Sequence, residues 1–422
     1  MSLVSSSAHL STRAVHIDGH LSGPEVAASI RQAPPFSLFS SSLTDVLDLC
    51  STTTTFRHPT LAQIEAAEPG YYDKNWDPHM PSRHMYSRET QPTATRVEEV
   101  LSDLIGGPTI LYSSGIAACW AVLLHFRPDV IAVTGGYFGC HGSFEVYQRT
   151  RGKDQVSIIA LEDEYPKDKK VLVWLETPVN PTGESRSIEA YSKKAKAVGA
   201  TLAVDATFAP PPLQDPFMWG ADIVMHSGTK YFGGHSDLLI GTVTVKDKTA
   251  WHELWDDRVH VGAAPGSLDT WLLLRSLRTL NLRVHRQATS ATALAKWLHS
   301  FIDAPAESGL AGVVKEVWHT CLQEDAAELV GEGKQLSTGP ACFGILLHTP
   351  EQATKFPEEL QYFIHATSLG GVESLIEQRV ISDPKCDPRL LRISVGIEEL
   401  EDLKADMEQA LKKVVELGKT QK

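Results

Sequence analysis

His226-Ser227-Gly228-Thr229-Lys230-Tyr231-Phe232-Gly233-Gly234-His235-Ser236-Asp237 is the most informative stretch of this chain. It follows Ile223-Val224-Met225, a short apolar run that reads as a buried strand, and it is rich in small residues. Lys230 has the hydroxyls of Ser227 and Thr229 just before it and Gly233 and Gly234 just after. A lysine becomes a nucleophile when burial or a cationic neighbour lowers its pKa. Hydroxyls beside it can hydrogen-bond an anionic group, and glycines let a flat ligand approach the backbone closely. Taken alone, the stretch also describes a lysine in a polar surface loop.

Two further segments narrow the reading. Val204-Asp205-Ala206-Thr207-Phe208 puts a carboxylate at the C-terminal end of a hydrophobic strand, where α/β sheets gather ligand-binding groups. A carboxylate there can keep a heteroaromatic nitrogen protonated by opposite charge. Tyr112-Ser113-Ser114-Gly115-Ile116 is a strand followed by a small-residue turn that opens a helix, whose first N–H groups form an anion site. Singly, a strand-end aspartate is also an N-cap and a Ser-Gly pair also a tight turn. In one α/β segment, the three together point to an anionic, aromatic cofactor bound through a lysine imine: pyridoxal 5′-phosphate.

The surrounding chain fits such a frame. Residues 1–75 lack clear periodicity and read as an extended arm with a short helix near 25–32. Helical spacing over 96–104 stops at Gly106-Gly107-Pro108, a strand over 109–112 follows, and then an apolar helix over 117–126. Strands are expected at 130–133, 156–161, 171–175, 202–204, 223–225 and 238–245, with a helix at 188–198. Residues 268–286 read as one long amphipathic helix, followed by helices at 288–302 and 399–417 and strands at 343–348 and 391–395. Strands alternating with helices predict an α/β fold with a mostly parallel sheet. The expected organisation is an arm (1–75), a large cofactor-binding domain (76–282) and a smaller C-terminal α/β domain (283–422).

Composition excludes other classes. The chain has 422 residues, 42% hydrophobic and 22% charged, which is ordinary globular usage. A net charge of −13 disfavours nucleic acid or an anionic membrane as partner. No run approaches the roughly 20 apolar residues that span a bilayer. The six cysteines are scattered without a CxxC pair, so neither a zinc knuckle nor a disulfide scaffold is expected, and a reducing, cytoplasmic setting is. His16 and His20 stand four apart but lack the HExxH context, so no metal is expected. The chain contains no GxGxxG, GxxxxGK[ST] or GxSxG motif, which argues against dinucleotide, P-loop and serine-hydrolase chemistry.

At these residues the chain resembles the Cys/Met-metabolism family of fold-type I pyridoxal-phosphate enzymes, the trans-sulfuration family. The resemblance runs from about Arg13 to Asp406. It is carried by Tyr86-Ser87-Arg88-Glu89-Thr90-Gln91-Pro92-Thr93, Glu176-Thr177-Pro178-Val179-Asn180-Pro181, Ser368-Leu369-Gly370-Gly371-Val372-Glu373-Ser374-Leu375-Ile376-Glu377 and Leu391-Arg392-Ile393-Ser394-Val395-Gly396, with the three segments above. Details such as Gln214-Asp215-Pro216 look most like the fungal cystathionine γ-synthase branch.

The resemblance implies roles position by position. Lys230 would form the cofactor imine and move protons, Asp205 would pair with the pyridine nitrogen, Tyr137 would stack on the ring, and Thr207 would also contact the cofactor. Gly115 and Ile116 amides with Ser227 and Thr229 hydroxyls would hold the phosphate. Tyr86 and Arg88 would reach it from an adjacent subunit, implying a dimer with shared sites and a homotetramer overall. Asn180, Ser368 and Arg392 would bind the amino-acid substrate, Arg392 taking its carboxylate. The implied activity is γ-replacement on an O-activated L-homoserine, O-acetyl-L-homoserine above all, through a vinylglycine ketimine, with cysteine as nucleophile giving cystathionine. Carbon or nitrogen nucleophiles, lyase or O-acetylhomoserine sulfhydrylase activity, and a non-catalytic α/β binding protein are the alternatives. The chain departs from the family pattern at Ala206, Gln91 and Cys140-His141-Gly142-Ser143, and at Gln378-Arg379, where His-Pro often stands.

Overall fold

The computed structural model of the protein describes residues 53–56, 76–81, 83–302, 305 and 309–419. The helix expected near 25–32, His16, His20 and nearly all of the expected arm lie outside the described residues. In chain order the elements are α1 (Pro92–Ile105), β1 (Thr109–Tyr112), α2 (Gly115–Phe126), β2 (Val130–Ala132), α3 (Phe138–Arg151), β3 (Ser157–Ile159), β4 (Val171–Glu176), α4 (Ile188–Lys196), β5 (Thr201–Asp205), β6 (Ile223–Ser227) and β7 (Gly241–Val245). There follow α5 (Lys248–Val261), α6 (Ser267–Leu277), α7 (Leu280–His299), β8 (Val314–Trp318), β9 (Cys342–Leu347), α8 (Pro350–Glu359), β10 (Ile364–His365), β11 (Leu375–Gln378), β12 (Leu390–Ser394) and α9 (Leu400–Lys419). One sheet has the order β1-β7-β6-β5-β4-β2-β3 and the other β10-β11-β12-β9-β8. Pairing is parallel through β3, β2, β4 and β5 and antiparallel between β1 and β7, so the expected α/β class with a mostly parallel sheet holds. Among the described residues no helix is long and apolar enough to cross a membrane.

Contacts divide the chain into two compact units. The first is built on α1, β1, α2, β7, α5 and α6. Its α1 begins four residues before the helical spacing expected from sequence. Pro92 sits in the first turn, where no N–H is needed, and the Gln91 side chain accepts from the Ala94 N–H at 2.6 Å. Gly106, at φ +92°, ends the helix in the left-handed conformation that favours glycine. Val97, Val100, Leu101 and Leu104 form the buried stripe of α1, which packs on β1 and α6. A buried ion pair fastens this unit. Arg258 of α5 donates to Glu98 of α1 at 2.8 Å and to the Leu111 carbonyl at 3.0 Å, while the Leu111 N–H donates to Glu98 at 3.0 Å.

In the second unit every residue of β4 and of β9 is buried. The hydrophobic core continues through Leu294 and Leu298 of α7, Phe356 of α8 and Leu411 of α9, with α7 packed on β8 and β9 and α8 on α9. Thr349 and Gln352 form a reciprocal capping box at the start of α8.

One expectation fails. Residues 268–286 are not a single helix: α6 ends at Leu277 and α7 begins at Leu280. The Thr279 N–H and hydroxyl both bond the Ser276 carbonyl, and the Arg278 N–H turns back to Arg275. These tight turns interrupt the i to i−4 ladder. Leu273, Leu277, Leu280 and Val284 are all buried and stand three or four residues apart in the sequence, so the apolar pattern hides the break. The expected helix at 288–302 is accordingly the second half of α7.

Candidate active site

In the second unit, Lys230 lies just beyond β6. Its Nζ donates to the Ser368 hydroxyl at 2.9 Å. Burial, with the neighbouring Arg392 charge adding to it, pulls this amine down from the usual 10.5 to about 8. Ser368 itself is held at φ +101°, a conformation that a residue with a Cβ adopts only under constraint. Both of its oxygens are engaged: the hydroxyl accepts from Lys230 and the carbonyl accepts from Arg392 Nη2 at 2.8 Å.

Arg392 sits mid-strand in β12, opposite Glu377 on β11 and Gly344 on β9. That register delivers its Nη2 to Glu377 Oε2 at 2.7 Å, while Nη1 donates to Asn180 Oδ1 at 3.2 Å. Asn180 is fixed in turn because its N–H donates to Glu176 Oε1 at 2.7 Å. The other oxygen of Glu176 accepts from the Tyr137 N–H at 2.7 Å. Gly136 precedes Tyr137 at φ +87°, and a Cβ there would stand 2.6 Å from Glu176 Oε2, so the approach requires glycine. Tyr137 thus caps the start of α3, 38% exposed as a residue, with its ring tilted against Phe138.

Asp205 ends β5 directly opposite Glu176 on β4. Its Oδ1 accepts from the Thr207 N–H at 3.0 Å and the Thr207 hydroxyl at 2.6 Å. Burial pushes Glu176 up, and the Asp205 charge pushes it further. Burial raises Asp205 as well, but the two Thr207 hydrogen bonds counter it. Two buried carboxylates side by side do not both ionise freely, so the pair holds a proton more tightly than an isolated carboxylate does.

The first unit carries a second set. Ser114 caps α2 by accepting from the Ala117 N–H at 3.1 Å, leaving the N–H groups of Gly115 and Ile116 at the open first turn. A Cβ on Gly115 would meet Ser227 Oγ at 2.9 Å, so only glycine brings this helix start against the end of β6. Thr229 donates its N–H to the Ile240 carbonyl at 3.1 Å, and its hydroxyl bonds both the N–H and the carbonyl of Ile240. Its O–H is therefore already engaged. Tyr86 pairs with Thr55 in an isolated bridge, and the Arg88 guanidinium lies 5.5 Å from the Tyr86 ring centroid. Arg88 Nη1 donates to the Val259 carbonyl at 2.9 Å, in the last turn of α5.

The sequence-predicted residues thus fall into connected groups. Lys230, Ser368, Arg392 and Asn180 form one hydrogen-bonded network, Tyr137 joins it through Glu176, and Asp205 binds Thr207. Gly115 meets Ser227, Thr229 meets Ile240, and Tyr86 meets Arg88. Sequence reasoning assigned no role to Glu176, Glu377 or Arg379. The first two lie inside motifs already quoted, and the third was marked only as a departure from pattern. Among the described residues no cluster of His, Cys, Asp or Glu is suited to a metal ion.

The donor set fits pyridoxal phosphate. An aldehyde needs an amine that can be neutral near pH 8, a pyridinium needs a buried carboxylate, and a phosphate needs a helix start that a side chain at Gly115 would close. These groups, on an α/β fold with a mostly parallel sheet, are the ones a pyridoxal-phosphate enzyme needs.

Residues 42–412 match the family described as Cys/Met metabolism PLP-dependent enzyme. A cystathionine β-lyase of Lactococcus lactis subsp. cremoris is 36% identical over 354 residues, covering 79% of this chain and 90% of that protein. A Bacillus subtilis protein named cystathionine γ-synthase/O-acetylhomoserine (thiol)-lyase is 34% identical over 355 residues, covering 78% of this chain and 86% of that one. The crystal structure of yeast cystathionine γ-lyase superposes with a TM-score of 0.77 at 28% identity, covering 98% of this chain and 100% of that one. The chain belongs to the Cys/Met-metabolism family of PLP-dependent enzymes.

Proposed function

We propose that the protein catalyses γ-replacement on an O-activated L-homoserine, O-acetyl-L-homoserine, with cysteine as nucleophile and cystathionine as product. The observation that carries this reading is the Lys230–Ser368–Arg392 chain of hydrogen bonds. It sets a proton-carrying amine and a carboxylate-binding guanidinium on the two oxygens of one residue. The name of the Bacillus subtilis relative supports the choice of donor.

Arg392 and Asn180 hold the substrate carboxylate. Asp205 would keep a bound ring nitrogen protonated, and Tyr137 would pack against that ring. Gly115, Ile116, Ser227 and Thr229 would hold the phosphate. Tyr86 and Arg88 serve the phosphate of a neighbouring subunit in a homodimer, two of which form a tetramer. Bound pyridoxal phosphate supplies the electron sink that makes the Cα–H and Cβ–H bonds acidic. Lys230 Nζ accepts the proton from Cα and then moves protons at Cβ. Acetate leaves Cγ with the bonding electron pair, and the cysteine sulfur, having lost its thiol proton to solvent, forms the new bond to Cγ. Positioned proton transfer of this kind contributes about 10²–10⁴-fold in rate. The large domain over 76–282 supplies the cofactor-binding groups, and the small domain over 283–422 supplies Ser368 and Arg392.

Purified holoenzyme incubated with O-acetyl-L-homoserine and cysteine tests the reading. Cystathionine with release of one acetate per product supports it. Exclusive formation of 2-oxobutyrate, whether or not cysteine is present, overturns it in favour of a lyase.

A further inference from the structure

Arg379 is a buried departure from the family pattern to which the proposed chemistry gives no role. It opens the single 3-10 turn after β11 and is 4% exposed. Its Nη1 donates to Glu377 Oε2 at 2.5 Å, the same oxygen that accepts from Arg392 Nη2 at 2.7 Å. Its Nε is buried and has no hydrogen-bond partner. Two buried guanidinium groups therefore share one carboxylate. Burial would raise that carboxyl, but the charges of Arg392 and Arg379 more than offset it and hold it ionised. The thiol of Cys342, which also faces Arg392, is pushed up to about 11 by burial and is neutral at physiological pH. With Lys230 taken up in its bond to the cofactor, nothing among these groups balances the remaining positive charge. An unbalanced buried charge is costly, and a bound anion removes the cost.

We propose that Arg379 is a positioning residue that neutralises Glu377 and so leaves the Arg392 site with one net positive charge, selecting substrates with an ionised α-carboxylate. Without Arg379, Glu377 and Arg392 form a neutral pair, and an incoming carboxylate competes with Glu377 for the same guanidinium. With it, Glu377 is shared between two guanidinium groups, and Arg392 keeps uncompensated positive charge for an incoming carboxylate. The substrate carboxylate then makes the set neutral, two positive charges against two negative. This inference rests on the reading of Arg392 as the carboxylate-binding residue.

The test counts charges. Holoenzyme is titrated with L-norvaline, which binds as an α-amino acid but has no leaving group, and with its methyl ester, following the cofactor absorbance. This readout does not depend on γ-replacement, so failure of that activity and failure of the present inference are separable. Arg379→Gln weakens norvaline about 10- to 100-fold, the order expected for one charge a few ångströms away in a partly screened site, and leaves the ester within about threefold. With any turned-over donor, the loss falls on KM rather than kcat. The double variant Arg379→Gln/Glu377→Gln restores the net charge and recovers norvaline binding to within about fivefold of the parent. A double variant no better than Arg379→Gln alone overturns the proposal, as does an equal loss for norvaline and its ester.

Discussion

Each unit buries arginine against glutamate, and the two arrangements differ in one respect. In the first unit Arg258 and Glu98 stand one to one, and the Leu111 N–H and carbonyl occupy further sites on the same two groups. In the second, Arg379 and Arg392 share Glu377, and a charge is left over. A balanced pair can only hold elements together, here α1, β1 and α5. An unbalanced one asks for a ligand. The same residue types at similar depth thus have different purposes, and counting charges separates them where burial does not.

The sharpest way to break this contrast is Lys230→Ala. Turnover should fall by at least about 10²–10⁴-fold and the yellow colour of the lysine-bound cofactor should vanish, with little loss of folding stability, because a buried amine is removed. Near-normal activity of this variant would defeat the site assignment. On the other side, Glu98→Ala strands Arg258 and should cost about 3–5 kcal/mol of stability, read as a shifted denaturant midpoint, while activity per folded molecule stays within about twofold. A large kcat effect with unchanged stability would give that pair a chemical role. The smallest effect concerns pH. Because the folded-state pKa of Lys230 is lowered to about 8 from 10.5, the unfolded chain binds a proton between these values that the folded chain does not. Stability of the cofactor-free protein should therefore rise with pH over that window, and below pH 8 the penalty is fully present. The rate of cofactor loading should climb about tenfold per pH unit towards 8 and then level off; a flat profile would place the amine in ordinary solvent.

Much of this was legible in the chain. The strand at 109–112 and the starts of the strands at 171 and 223 stand where apolar runs put them, since strands buried on both faces read as continuous apolar segments. Helices α3, α5 and α8 were not foreseen. Gly139 and Gly142 interrupt α3 and Pro357 lies within α8, so local propensity argues against both until tertiary packing overrides it. The strands β8 and β11 were missed because charged residues, Lys315 and Glu316 in one and Glu377 in the other, mask their short apolar patterns. In the site, Lys230, Asp205 and Gly115 announce themselves by type and position. Glu176 does not, because its importance comes from lying opposite Asp205 across two strands, a relation that sequence order does not express.

Ser368 carries a consequence for evolution in the test tube. Its backbone stores about 1–3 kcal/mol of unfavourable conformation, most of which glycine would release. Glycine would also delete the oxygen that steers the Lys230 amine. Screens that reward heat resistance alone should therefore accumulate Ser368→Gly, and the survivors should be sturdy proteins with a misaimed proton carrier.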